Sequence, residues 1–195
     1  MVYSGGNRFI AERGFVPLDF MYALFHPVEG LRTAAVMLLL SFFMHGGFMH
    51  LAGNLWYLWL FGPAIERRLG ALTFAFLYGA AGVIATIAQA VSSPLSIIPI
   101  VGASGAIAGV MGLTLVLLPG SRLVCYFPPL FFFKIPSFVF LLLWFGIQYI
   151  NLSRAAPGGS LVAWWAHIGG FAFGVVAGAF LRFAAGKGKR RKKRA

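Results

Sequence analysis

Apolar residues in this chain fall into long blocks separated by short polar or helix-breaking punctuation, the pattern of membrane-crossing helices rather than of alternating half-buried strands. Five blocks are read as crossings. The first, about His50–Ile65, is stopped by Glu66-Arg67-Arg68; the second, about Ala71–Val91, ends at Ser92-Ser93-Pro94; the third, Ser104–Leu118, ends at Pro119-Gly120. The fourth covers about Ile135–Ile150, after Phe131-Phe132-Phe133-Lys134, and the last about Leu161–Phe183. Upstream, residues 1–35 mix polar and apolar positions, and Pro17, Pro27 and Gly30 interrupt any long helix, so this stretch is expected on a surface. Thr33–Met44 stays apolar for only about twelve residues before His45-Gly46-Gly47, which suits an interfacial or re-entrant segment. The expected fold class is an all-α membrane protein, a polytopic bundle of about five transmembrane helices with an interfacial loop. Its parts are an amino-terminal surface segment (1–35), a membrane domain (36–183) and a basic cytoplasmic tail (184–195).

Composition strengthens the membrane reading. Of 195 residues, 60% are hydrophobic, 10% are charged and 21 are Phe, far from an ordinary soluble domain. The net charge of +12 could point to nucleic acid, but eight of the sixteen basic residues lie between Arg182 and Ala195. That cluster reads more simply as a cytoplasmic anchor beside the lipid bilayer, and no nucleic-acid partner is expected. With the tail inside, alternation places Arg67, Arg68, Arg122 and Lys134 inside as well. Arg8, Arg13, Arg32 and Arg154 are left outside, twelve basic residues against four. The first, third and fifth crossings then run in the same sense. Met1–Asp19 has no long apolar core, so no cleavable signal peptide is expected. Cys125 is the single cysteine and excludes an intrachain disulfide.

Candidate chemistry sits inside the apolar blocks. Gly102-Ala103-Ser104-Gly105 places a serine at the head of a helix, beside backbone N–H groups that lack helical acceptors. The block it opens spans roughly 22 Å of a ~30 Å hydrocarbon core, so Ser104 is expected below the outer surface. Counting back from the inner boundaries, His50 is sixteen residues from Glu66, Ser104 fifteen from Pro119, and His167 fifteen from Arg182. Three polar side chains thus share one depth, on helices of one sense. Intramembrane polar residues at a common level suggest a wet functional pocket, and Ser96–Ala103 would reach it as irregular backbone.

Serine becomes a nucleophile when a base takes its proton, and His167 is the natural candidate. His50 and Asn54, at i and i+4, can present an imidazole and a carboxamide as oxyanion donors. Glu12, Asp19, Glu29 and Glu66 all lie at termini or boundaries, so a Ser–His dyad without a carboxylate is expected. Gly105, Gly109, Gly170 and Gly174 would let the two helices approach closely. Each element also has a plain structural reading: close packing for the glycines and Ser104, a core histidine for His167, polar glue for His50 and Asn54. His45 and His26 are expected to face interfacial water. No metal-ligand spacing is present, and no metal or other cofactor is expected.

Four stretches together are specific: Phe43-Met-His-Gly-Gly-Phe-Met-His50-Leu-Ala-Gly-Asn54, Glu66-Arg-Arg-Leu-Gly70, Gly102-Ala-Ser104-Gly105 and Ala166-His167-Ile-Gly-Gly170 with Gly174. Covering about residues 36–180, they resemble the rhomboid family of intramembrane serine proteases. The resemblance implies a rhomboid-like helical bundle in which Ser104 is the nucleophile and His167 the general base. It makes His50, Asn54 and the Ser104 N–H the oxyanion donors. It implies a serine endopeptidase that cuts membrane-protein substrates in or near a transmembrane helix, with small side chains preferred before the cut. A compact chain without long tails suggests the bacterial inner membrane, multi-pass, with the carboxyl end cytoplasmic.

Three departures from the family pattern are visible. The family's usual first transmembrane helix, before the interfacial loop, is missing, which implies either a truncated chain or a five-helix form. Apolar Val36-Met37 stands where many members carry Trp-Arg. Ala108 replaces an aromatic residue that in some members stacks on the catalytic histidine, implying a more loosely held imidazole. The alternative function is a non-catalytic rhomboid-like module that binds membrane proteins; a transporter or channel would call for deeper charges or a repeated half, and neither is visible.

Overall fold

The structure, a computed structural model, describes residues 5–127, 131–154 and 162–192. Three helices come first: α1 (Gly5–Arg13), α2 (Pro17–Phe25) and α3 (Pro27–Ser41). They are followed by α4 (Phe48–Leu69), α5 (Ala71–Ser92) and α6 (Ser104–Leu117). A hairpin of β1 (Arg122–Phe127) and β2 (Phe131–Pro136) then leads to α7 (Ser137–Arg154) and α8 (Trp164–Lys192).

Pro17 and Pro27 divide the amino-terminal region, but each does so by opening a helix, where a missing N–H costs nothing. Helix α3 therefore begins six residues before the expected apolar segment and passes through the 35/36 boundary without a break. This region is also less superficial than its sequence suggests. Phe15 is buried and packs with Leu38 and Ala90, with Phe20, Phe42 and Ile100 alongside.

Helix α6 is the centre of the bundle. It is apolar all round, as a fully enclosed helix must be, and every residue from Gly105 to Thr114 is buried. Around it the core is built from Phe61 and Ile65 of α4, Leu141 of α7 and Phe171 of α8. On the α5 and α8 sides the spacing is set by glycine. A Cβ on Gly170 or Gly174 would run into the carbonyl oxygen of Gly105 or Gly109, and one on Gly109 into Ala81. Small residues thus bring three backbones together, as in tightly packed membrane helices.

Among the described residues one short hairpin departs from the otherwise helical bundle. Arg122–Phe127 and Phe131–Pro136 pair antiparallel, with Val124 opposite Lys134 and Cys125 opposite Phe133. Aromatic and β-branched residues in two short runs favour strands, whereas the sequence reading passed over the first run and began a crossing inside the second. That fourth helix begins at Ser137 and continues to Arg154. Ser137 ties the hairpin to the end of α6, its N–H bonding the Ser121 carbonyl at 2.7 Å and its hydroxyl the Leu118 carbonyl at 3.0 Å. Residues 184–192, expected as a tail, continue α8; Leu161 and residues 193–195 lie outside the described residues.

Two helices, Ala71–Ser92 and Trp164–Gly186, are long and apolar enough to cross a membrane, and Gly30–Ser41 and Ser104–Leu117 are shorter apolar helices. Only 28% and 22% of the two long apolar windows are buried, unlike the enclosed core helix of a soluble protein. Large side chains such as Trp56, Trp59, Phe76, Val176 and Phe180 are exposed on the outside of the bundle.

Candidate active site

Ser104 is the first residue of α6, preceded by Ala103 at φ −77° and ψ 0°. The Ala103 carbonyl accepts the first helical hydrogen bond from the Ile107 N–H at 3.0 Å. The Ser104 N–H is therefore one of the first-turn donors that helix geometry leaves without an intrahelical acceptor. Its hydroxyl oxygen lies 2.9 Å from Nε2 of His167, in the first turn of α8. The glycine contacts between α6 and α8 make this approach possible. On the far side of the ring, Nδ1 of His167 is 2.8 Å from Oε1 of Gln148 on α7. The indoles of Trp144 and Trp164 flank the imidazole with centroids 6.0 Å away, the latter edge-on.

The loop before Ser104 turns at Gly102, whose φ of +105° suits glycine. A Cβ there would also stand 2.8 Å from Nε2 of His50 and 3.3 Å from Nδ2 of Asn54. Both α4 side chains thus face the loop that presents the serine. Nδ1 of His50 accepts the Gly46 N–H at 3.3 Å, so the neutral ring carries its proton on Nε2, the nitrogen turned to Gly102. Asn54 is buried, and its Nδ2 has no hydrogen-bond partner among the described residues. A buried donor left unpaired costs about 1–3 kcal/mol and calls for an explanation such as a ligand or transition-state contact.

The same loop is strapped to the amino-terminal helices. Gly102 donates to the Ser41 carbonyl at 2.8 Å, Phe15 and Ile100 exchange two backbone hydrogen bonds, and Leu18 donates to Ser96. A small cavity of about 10 Å³ borders Ser104, lined in part by Gly82, Ala85, Thr86, Ala163 and Ala166. It has room for about one water molecule.

The Rhomboid domain profile matches residues 32–183 of this chain. The chain belongs to the rhomboid family. Rhomboid protein 1, mitochondrial, of Saccharomyces cerevisiae is 30% identical over 164 residues, which cover 82% of this chain and 46% of that protein. The human presenilin-associated rhomboid-like protein, mitochondrial, is 32% identical over 145 residues, 71% of this chain and 36% of the relative. Rhomboid protease GluP of Bacillus subtilis is 45% identical over 75 residues, 38% and 14% of the two chains. The chain spans less than half the length of each of these relatives. The two relatives matched over most of this chain are mitochondrial, and the bacterial one is named a protease.

Within this rhomboid chain the structure brings together all four residues singled out from sequence: Ser104, His167, His50 and Asn54. His45 does not turn to the interface as expected. Its ring packs edge-on against His50 at 5.2 Å, and its Nε2 is buried. His26, exposed, stacks on Tyr22 far from the others in sequence and in environment. The imidazole of His167 is also better held than Ala108 implied, by Gln148 and two indoles. Sequence reasoning passed over Gln148 and Gln89. The Gln89 Oε1 accepts the Trp165 and Ala166 N–H groups at 3.0 and 3.3 Å, capping the first turn of the helix that carries His167. Both are carboxamides within apolar runs, and the cost of intramembrane polar groups was the available signal.

Proposed function

We propose that this rhomboid protein is an intramembrane serine endopeptidase working through a Ser104–His167 dyad on membrane proteins that present a transmembrane helix. The observation that carries the reading is the 2.9 Å approach of the Ser104 hydroxyl to Nε2 of His167, beside two α4 donors that face the serine loop. In this mechanism Oγ of Ser104 attacks the scissile carbonyl carbon while its proton passes to Nε2 of His167. The tetrahedral oxyanion accepts hydrogen bonds from the Ser104 N–H, Nδ2 of Asn54 and Nε2 of His50. His167 then gives the proton to the leaving amine, and a water activated by the same imidazole hydrolyses the acyl-enzyme. The small, Gly- and Ala-lined cavity at Ser104 favours substrates with small side chains before the cut.

The proposed topology is five crossings, α4 to α8, with the basic carboxyl end cytoplasmic. Outward-facing apolar residues and the twelve-to-four basic bias support it. The deciding experiment is labelling of the purified, detergent-solubilised protein by a fluorophosphonate, which reacts only with an activated serine. Labelling that disappears in both Ser104→Ala and His167→Asn is the expected result. Equal labelling in Ser104→Ala would end the serine-nucleophile reading.

A further inference from the structure

We infer that Gln148 is a positioning residue that holds His167 in the tautomer a general base requires, so that α7 adds an uncharged third member to the pair; this rests on the serine-peptidase reading above. Gln148 is buried, and its carboxamide meets two partners: Nδ1 of His167 at 2.8 Å and the Trp144 carbonyl at 3.4 Å. A carbonyl oxygen only accepts hydrogen bonds, so the amide NH₂ belongs against Trp144 and the amide oxygen against the ring. An oxygen at 2.8 Å from Nδ1 requires the proton on Nδ1. Neutral imidazole then has its lone pair on Nε2, 2.9 Å from the Ser104 hydroxyl and ready to take its proton. The opposite amide orientation would set carbonyl against carbonyl and present Nε2–H to the serine, a ring that cannot act as base. Gln148 and Ser104 therefore approach opposite nitrogens of one imidazole, and the amide fixes its proton. An amide does so without bringing a carboxylate into the bilayer, where an ionised side chain is costly.

The test reads tautomer and reactivity separately. In ¹⁵N spectra of the histidine-labelled full chain, with His167 assigned by its loss in His167→Asn, His167 is expected as the Nδ1–H tautomer. Gln148→Leu is expected to lose that preference. Its fluorophosphonate labelling should slow by roughly 10²-fold, the lower range of a general base's contribution. Gln148→Glu keeps an acceptor at the same place and should label at least tenfold faster than Gln148→Leu; a packing role alone would not produce this rescue. An Nε2–H tautomer in the wild type overturns the inference, even if either variant fails to fold. So does wild-type labelling in Gln148→Leu, while leaving the Ser104–His167 reading intact. Labelling that persists in Ser104→Ala sinks that reading instead, and the tautomer measurement still decides the role of Gln148.

Discussion

At the residue scale, Asn54 separates stability from function. Its buried Nδ2 has no partner among the described residues, so Asn54→Ala removes an unpaired donor rather than a folded-state hydrogen bond. The variant is expected to unfold at the wild-type temperature or above it, yet label with fluorophosphonate about 10²-fold more slowly, the scale of one lost oxyanion donor. A stability loss with unchanged labelling would reverse the assignment and make Asn54 structural glue. Ser104→Ala and His167→Asn should abolish labelling without altering expression, since neither side chain fills the main core around Met111 and Phe171. These positions were legible because a serine, an asparagine and two histidines interrupt blocks that are otherwise apolar. Gln148 was not, because an amide far from the motif in sequence gains meaning only when α7 brings it to the ring.

At the element scale, the packing of α5, α6 and α8 rests on glycines whose missing Cβ atoms would strike backbone between α6 and α8 and alanine Cβ atoms on α5. Gly174→Val should destabilise the bundle by about 3 kcal/mol or more, because the colliding groups, the Gly109 carbonyl and the Leu113 N–H, cannot swing aside like a side chain. Gly79→Ala, in α5 with open space around the added methyl, should do the opposite and gain up to about 1 kcal/mol through helix propensity. Thermal unfolding in detergent compares the two; equal shifts would mean that the close approach is not what holds these helices. The helices themselves were readable from long apolar runs with clear stops. The hairpin was not, since two six-residue strands offer no period to set against a helix, and Pro136 fell inside an apolar run. Gln89→Leu removes the acceptor at the start of α8 and should cost about 1 kcal/mol, with slower labelling as His167 loses its fixed base.

At the scale of the whole molecule, apolar side chains cover the outside as well as filling the core, unlike a soluble protein: tryptophans and phenylalanines are exposed around an apolar core that also holds Asn54, Gln148 and Thr86. A fluorescent reporter fused to the carboxyl end should mature in the cytoplasm; an alkaline phosphatase fused there should be inactive. The reverse pattern would overturn the proposed orientation. The strap between the amino-terminal helices and the serine loop has a further consequence. The recognisable family region starts at residue 32, after Phe15 and Leu18, yet those two residues hold the loop that leads to Ser104, the proposed nucleophile. The boundary drawn by ancestry is therefore not the boundary of the proposed device: a version trimmed to residues 32–195 would keep Ser104, His167, His50 and Asn54 and lose the clamp on the loop that carries the first of them.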